Sequence, residues 1–525
     1  MNGLTAEQIV DGFWLSQPVR SALGAALEFD YYYLLDGQIR TQPAPGALAV
    51  RMPRLDGEQW RRLLAALQSA RKLTSRETLV RWNSAIMHGA GALGSQLSRF
   101  SARLSAASGY SEPMIFNGFF TGELDQAAAV ARAVEYQPAL AGALRWQQPP
   151  QLPGQVKFWP GRKATALTAR LRPSAPFYRP PPAPASLAIG FAAGNVPGTG
   201  MILSFISSLA NAAFPSEAAP AVLIRNSRHE PLFMPWLLAW IEQIDPELAS
   251  ATAVLGWDYS EQALQRWLIS SAGFMLAAAG DDTIQALERD RLAANPHLRF
   301  HKHGHKISFS AVGQAQAALE DTAEAGALDS AVWDQNGCLS ARVHFVAGDA
   351  DLYAEHLAQA LRRLDDSLPR GATPLRFAHR AFDTYHTLAQ HKQVRLFSAY
   401  DDGFTVAVDR RAWQPADFQR VINSCMGRVV VVRPVSDLRT LGQTIALLPP
   451  ANLQTLSLAV DAGQVLELAE TAGRAGVTSI RRLGEAAFPR LAGSWDGYLP
   501  SDAAFLRPPG YWTAVEFSQE VPTSG

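Results

Sequence analysis

The sequence predicts an α/β protein in which a mostly parallel sheet, buried on both faces, is joined to a second α/β domain. Three observations carry that expectation. Short apolar runs at residues 187–193, 221–224, 252–255 and 274–279 alternate with helical patterns at 200–214, 231–244, 260–269 and 281–292. Strands interleaved with helices of that length indicate βαβ units, and continuous apolar strands are those covered on both sides. The pattern then restarts: 341–347 alternates around Val343 and Phe345, Tyr353, Leu357, Leu361 and Leu364 mark one helix face, and 429–432 is a β-branched run. Finally, 525 residues exceed what a single core usually organises, so two domains with appendages are expected.

Taken in order, residues 1–18 carry Glu7 and Asp11 and lack the basic start and apolar stretch of a signal peptide, so export is not expected. From 57 to 73, Trp60, Leu63, Leu64 and Leu67 fall on one face of an amphipathic helix capped by Asp56, and more helix is expected to about 136. Six prolines between 172 and 184 forbid helix or central strand there and mark an extended connection. The interval 180–216 has no charge, yet its prolines and glycines leave no run of about 20 apolar residues for a membrane span. The expected division is a mainly helical region over 1–180 packed on the cofactor domain, a dinucleotide-binding domain over 181–324, a catalytic thiol domain over 325–490, and a C-terminal segment over 491–525.

Lysine plus arginine and aspartate plus glutamate each number 47, so no basic field draws in nucleic acid or an anionic membrane surface. The two cysteines, Cys338 and Cys425, are too few for a disulfide framework and show no paired spacing, which fits a reducing, cytoplasmic setting. The alternating histidines of His301-Lys302-His303-Gly304-His305-Lys306 lack a neighbouring carboxylate or thiolate, so no metal is expected. A charged loop feeding a strand at 307–312 is the preferred reading.

Ligands of parallel α/β sheets sit at the carboxyl ends of strands, where 194–200, 225–228, 256–257 and 280–281 converge. Gly194-Asn195-Val196-Pro197-Gly198 is a glycine-rich strand-to-helix turn that could let backbone approach a ligand and offer an amide to an oxyanion, or could be an ordinary tight turn. Arg225-Asn226-Ser227-Arg228 ends a strand where two cations could hold a phosphate, or where they merely meet solvent. Cys338 follows Trp333-Asp334-Gln335-Asn336-Gly337, the glycine allowing a sharp turn beside it. It is a nucleophile if its thiolate is favoured, or else a small buried hydrophobe, and Cys425 takes the second reading. Serine-hydrolase, P-loop and zinc-protease signatures do not occur.

Six segments in order resemble the bacterial long-chain acyl-CoA (fatty acid) reductases of the luminescence system, relatives of the aldehyde dehydrogenases. They are Gly194-Asn195-Val196-Pro197-Gly198, Ile224-Arg225-Asn226-Ser227, Gly280-Asp281-Asp282-Thr283-Ile284, Gly304-His305-Lys306-Ile307-Ser308-Phe309, Asp334-Gln335-Asn336-Gly337-Cys338 and Trp495-Asp496-Gly497. The resemblance implies an aldehyde dehydrogenase-like fold with a Rossmann-type cofactor domain. It implies Cys338 as acyl acceptor, with Asn195 and the Cys338 backbone N–H as oxyanion donors. Gly194, Arg225, Ser227, Arg228, Gly280 and Asp281 would line the cofactor site, with Arg228 in place of an NAD-selecting glutamate favouring NADPH.

The segment Lys302-His303-Gly304-His305-Lys306 lacks the glutamate base of hydrolytic aldehyde dehydrogenases, which suits thioester exchange over hydrolysis. Leu339 and Ala341-Arg342 depart from the serine and proline expected after the nucleophile. The implied activity is NADPH-dependent reduction of a fatty acyl thioester, on coenzyme A or an acyl-carrier protein, to the aldehyde through an S-acyl cysteine. The alternatives are an NAD-dependent acylating aldehyde dehydrogenase running towards acyl-CoA, or a non-catalytic nucleotide-binding scaffold in an acyl-transfer complex. A homo-oligomer is expected by the same resemblance.

Overall fold

Every apolar run read as a strand from the sequence is a strand in the computed structural model, which describes residues 8–24, 27–117, 156–160, 184–212, 214, 216–372, 376–390, 392–486, 496 and 512–516. The described residues form two compact units. One contains those within 8–117 and 184–305; the other contains 156–160, those within 306–486, residue 496, and 512–516. Helix expected beyond 117, the proline-rich connection up to 183 and most of 491–525 lie outside the described residues.

The first unit begins with β1 (Ile9–Asp11), β2 (Trp14–Leu15), β3 (Glu28–Leu35), β4 (Gln38–Arg40) and β5 (Leu48–Arg54). Four of these make a small sheet in the order β1-β5-β3-β4, so the N-terminal region carries a sheet as well as the expected helices. The helix Gly57–Ser69 starts at Asp56, whose side chain accepts from Gln59 N at 2.8 Å while Gln59 Oε1 accepts from Asp56 N at 2.9 Å. This reciprocal cap fixes the helix start and turns Trp60, Leu63, Leu64 and Leu67 inward.

β6 (Val156–Pro160) belongs to the second unit, whereas β7 (Leu187–Phe191), β8 (Ala221–Arg225), β9 (Thr252–Leu255), β10 (Phe274–Ala278) and β11 (Arg299–His303) continue the first. Among the described residues they form a sheet ordered β11-β10-β7-β8-β9-β2, parallel throughout except for the β2–β9 pair. The chain runs outward from β7 to β8 and β9, then returns to lay β10 on the other side of β7. That reversal of direction, at the carboxyl ends of β7 and β10, is the place where such sheets bind ligands. β11 corrects the expectation of a charged loop: His301 pairs with Leu276 and His303 with Ala278, and both imidazoles are buried.

The second unit is built on β12 (Ile307–Val312), β13 (Ala341–Val346), β14 (Val394–Leu396), β15 (Thr405–Asp409), β16 (Val429–Pro434), β17 (Leu453–Ala459), β18 (Ser479–Arg482) and β19 (Trp512–Glu516). With β6 these give the order β14-β15-β16-β13-β12-β17-β18-β19-β6 among the described residues, parallel except at its two edges. β12 lies in the middle of this sheet, bonded to β13 and β17. The boundary expected between 324 and 325 therefore falls at 305/306, because the strand after the histidine-rich segment pairs forward in the chain.

Strand periodicity of two splits the buried residues between two faces. Val430 and Val432 join Tyr353, Leu357 and Leu361 of the helix Ala350–Ser367 on one side. Val429 and Val431 join Phe418, Ile422 and Leu468 on the other. Among the described residues no helix is long and apolar enough to cross a membrane, and no group of three histidine, cysteine or acidic side chains is placed to hold a metal ion.

Candidate active site

The turn that delivers Cys338 is made by left-handed residues other than glycine. Trp333, Asp334 and Gln335 have φ of 56°, 47° and 62°. Each such residue costs roughly 1–2 kcal/mol, so the surroundings must hold the turn in place. Asp334 and Arg428 are both buried and ion-paired at 3.1 Å. Asp334 also accepts from Gly371 N at 3.1 Å through its carboxylate and from Gly427 N at 3.1 Å through its carbonyl. The Gln335 amide donates to Ala341 O at 3.0 Å and Val429 O at 2.7 Å and accepts from Val429 N at 2.8 Å, tying the turn to the starts of β13 and β16. The sharp turn expected of Gly337 is thus made three residues earlier.

Cys338 emerges half-buried, its carbonyl accepting from Ser308 Oγ on β12 at 2.8 Å. Beside it the pairing of β12 with β17 shifts: Ile307 lies opposite Leu453 but Phe309 opposite Leu456, so Gln454 and Thr455 share the position facing Ser308. A bulge of this kind re-aims side chains. Gln454 is buried, its amide reaches the Cys338 thiol, and its Nε2 donates to Asp496 Oδ1 at 2.6 Å. Lys306 Nζ lies 3.7 Å from Asp496 Oδ2 and donates to Ala451 O at 2.7 Å.

Burial and the Asp496 carboxylate push the Cys338 thiol up to about 11, against the opposing pull of the Gln454 amide, the Cys338 backbone N–H and Lys306. The resting sulfur is therefore a protonated thiol at neutral pH, set among groups that can favour its anion. Cys425 differs: it is fully buried in the core beyond the helix Pro415–Ser424, and burial raises its thiol to about 12. Sequence reasoning named Cys338 but missed Gln454, and it met Lys306 and Asp496 only as members of shared motifs.

The remaining candidates lie in the first unit, at the carboxyl ends of β7, β8 and β10. Asn195 is exposed on the turn between β7 and the helix Thr199–Ser208, and its carbonyl accepts from the Tyr110 hydroxyl. Gly198, at φ 91°, begins that helix in a conformation that favours glycine. A side chain at Gly194 would come within 2.2 Å of Ser227 Oγ, so glycine is required where the end of β8 approaches. Ser227 itself is largely buried, its hydroxyl accepting from His229 N at 3.2 Å.

Arg225 is turned inward: Nε and Nη2 donate to Trp257 O at 3.2 and 2.7 Å, and the guanidinium lies 3.7 Å over the Tyr259 ring. Arg228 is half-exposed, 3.8 Å from the Asp258 carboxylate and 5.0 Å over Tyr32. Gly280 begins the helix Asp281–Ala294 with no side-chain cap, and a Cβ there would meet no atom of the described residues within 4 Å. Asp281 Oδ1 accepts from His305 N at 2.7 Å and fills the space where Gly304 lacks a side chain, bracing the loop after β11. These candidates lie at the carboxyl ends of β7, β8 and β10 or on the loops after them, where a sheet of this order binds a dinucleotide.

Residues 174–503, more than half of the chain, match the family described as acyl-CoA reductase (LuxC). The "Long-chain acyl-protein thioester reductase 2" of Photobacterium leiognathi is 27% identical over 222 residues, 41% of this chain. The chain spans less than half the length of that relative, 42%. Solved structures share the fold. Aldehyde dehydrogenase 21 from Physcomitrella patens, in complex with succinate, superposes with a TM-score of 0.60 at 12% identity, covering 91% of this chain and 92% of its own. Succinate-semialdehyde dehydrogenase from Burkholderia pseudomallei gives 0.56 at 14% identity over 98% of both. The architecture is that of the aldehyde dehydrogenases, as the sequence led one to expect.

Proposed function

We propose that this chain, which belongs to the acyl-CoA reductase (LuxC) family, reduces a fatty acyl thioester to the aldehyde through an S-acyl intermediate on Cys338. The observation that carries the proposal is the setting of the Cys338 thiol, half-buried on a locked turn and contacted by an amide with a lysine nearby. The relative from Photobacterium leiognathi is named for an acyl-protein thioester, so an acyl-carrier protein stands beside coenzyme A as the donor.

In this reading Cys338 sulfur adds to the thioester carbonyl while its proton passes to the departing carrier thiolate, leaving the acyl group on the enzyme. Asn195, through its side-chain amide, and the Cys338 backbone N–H are the proposed donors to the carbonyl oxygen as it becomes negative. Such a donor is worth around 3 kcal/mol, so Asn195→Ala should slow turnover by about a hundredfold. The 302–306 segment carries no glutamate in the place of the hydrolytic base, which suits thioester exchange over hydrolysis.

Gly194, Ser227 and Gly280 would hold NADPH in the first unit, and when bound it supplies the hydride for reduction. Arg228 is the arginine with a half-exposed guanidinium, whereas Arg225 supports the site from within through Trp257. The 2′-phosphate contact is therefore assigned to Arg228, and Asp281 to bracing the helix start. Rates of aldehyde formation with NADPH and NADH, on acyl-CoA and on acyl-carrier protein, test this. Aldehyde formed faster with NADPH, and an Arg228→Glu variant that reverses the order, are expected. No aldehyde with either donor would remove the proposal.

A further inference from the structure

The polar cluster beneath Cys338 is more elaborate than a thiol nucleophile requires, and it is arranged around Gln454. We propose that Gln454 is a catalytic residue of the acyl transfer: its side-chain amide, oriented by Asp496, donates an N–H to the Cys338 sulfur whenever that sulfur is negatively charged. The inference rests on the reading of Cys338 as the acyl acceptor and adds to it a residue and a geometry.

A glutamine amide offers two N–H donors and one carbonyl acceptor. One donor goes to Asp496 Oδ1 at 2.6 Å, and because a carboxylate only accepts, this bond fixes which end of the amide is nitrogen. The second N–H is left for the sulfur, consistent with the downward pull of Gln454 on the thiol. Among the described residues, Gln454 Oε1 and Thr455 Oγ1, both on the bulge of β17, are buried without hydrogen-bond partners. Buried unsatisfied groups cost stability, so the bulge is better explained by what it presents to Cys338 than by packing.

Asp496 is held in the left-handed region, φ 50°, with its side chain 3% exposed. Lys306 lies 3.7 Å away and offsets the charge that would otherwise oppose a thiolate. Asp496 thus acts through Gln454 as a positioning residue.

The sulfur becomes negative twice. It does so first when the thiol gives up its proton and forms the bond to the acyl carbon. It does so again when the carbon–sulfur bond of the thiohemiacetal breaks, the electron pair passing to sulfur and the hydroxyl proton leaving as the aldehyde C=O forms, with sulfur finally reprotonated. One fixed N–H serves both events, because sulfur is the charged atom in each.

The test is the rate of iodoacetamide alkylation of Cys338 in the full chain from pH 6 to 10, followed by mass spectrometry of the Cys338 peptide. The fully buried Cys425 reports unfolding in the same sample. Alkylation needs neither acyl donor nor cofactor, so it stays decisive if the reductase reading fails. Gln454→Met, which keeps the volume and removes the amide, should slow alkylation at pH 8 at least tenfold and move the profile to higher pH with Cys425 unmodified. If that variant exposes Cys425, Gln454→Asn, whose shorter amide cannot span the same distance, should give the same slowing.

An unchanged profile, within twofold of wild type, overturns the role of Gln454. For Asp496, a double-mutant cycle separates charge from orientation. Asp496→Asn in the Gln454→Met background should speed alkylation by removing a negative charge, and that gain should be at least fivefold smaller, or reversed, when Gln454 is present. Equal gains in both backgrounds would show that Asp496 acts by charge alone.

Discussion

Two titratable side chains in the second unit, Asp329 and His344, show how burial sets protonation at a single residue. Asp329 is fully buried, accepts from Gly484 N at 3.0 Å and Ala486 N at 2.9 Å, and burial raises its carboxyl to about 7. His344 sits between Ser330 Oγ and the Tyr353 hydroxyl, 2.9 Å from each, and burial lowers its imidazole to about 3. A carboxyl that holds its proton more tightly when folded contributes stability that is complete below pH 4 and is lost as pH rises through 7. The Asp329 contribution to that loss is on the order of 4 kcal/mol. The melting temperature of Asp329→Asn, relative to wild type, should therefore rise from pH 4 to pH 7 and level off above it. A pH-independent difference would show that Asp329 is ionised in the fold. His344 acts in the opposite direction, its contribution being lost as pH falls below 6.5 towards 3. At this scale the sequence made Cys338 and Asn195 visible, because a thiol or amide beside glycine stands out. It could not mark Gln454, which reads as an ordinary strand residue until the bulge of β17 turns it towards Cys338.

Elements whose cause is local were legible, and those whose cause is distant were not. The helix Gly57–Ser69 could be placed because its cap and its apolar face lie within a dozen residues; Asp56→Ala should cost about 1 kcal/mol in chemical denaturation. The left-handed turn before Cys338 has no such local signature, since its stability comes from Arg428, Gly371 and Val429, far along the chain. Arg428→Met leaves Asp334 buried without its cation, which should destabilise the second unit by about 3–5 kcal/mol. It should also slow alkylation of Cys338 at temperatures where Cys425 stays protected. A variant of wild-type stability would mean that the turn holds itself. The same contrast explains β11 and β3. Histidines and lysines in 301–306 look like a loop until pairing with β10 buries His301 and His303, and the aromatic run in Glu28–Leu35 is a strand within a region expected to be mainly helical.

At the scale of the whole molecule, the alternation of strands and helices sufficed to expect two α/β assemblies, while the boundary between them depended on long-range pairing. β12 follows β11 within a few residues, yet it pairs with β13 and β17, and only the register reveals this. The division of labour makes a separable prediction. Arg228→Glu, which reverses the charge assigned to the 2′-phosphate, should weaken NADPH binding at least tenfold, read by titration calorimetry, while leaving acylation of Cys338 intact. Cys338→Ala should do the reverse. Loss of both functions in either variant would contradict the assignment of cofactor and thiol to different units. The acyl-enzyme itself can be read by intact-mass spectrometry of the full chain incubated with a long-chain acyl-CoA or a long-chain acyl-carrier protein. A single acyl adduct should form on the wild type, be absent from Cys338→Ala, and disappear on adding NADPH as aldehyde forms. No adduct with either donor, or an adduct that persists in Cys338→Ala, would contradict an S-acyl intermediate on Cys338.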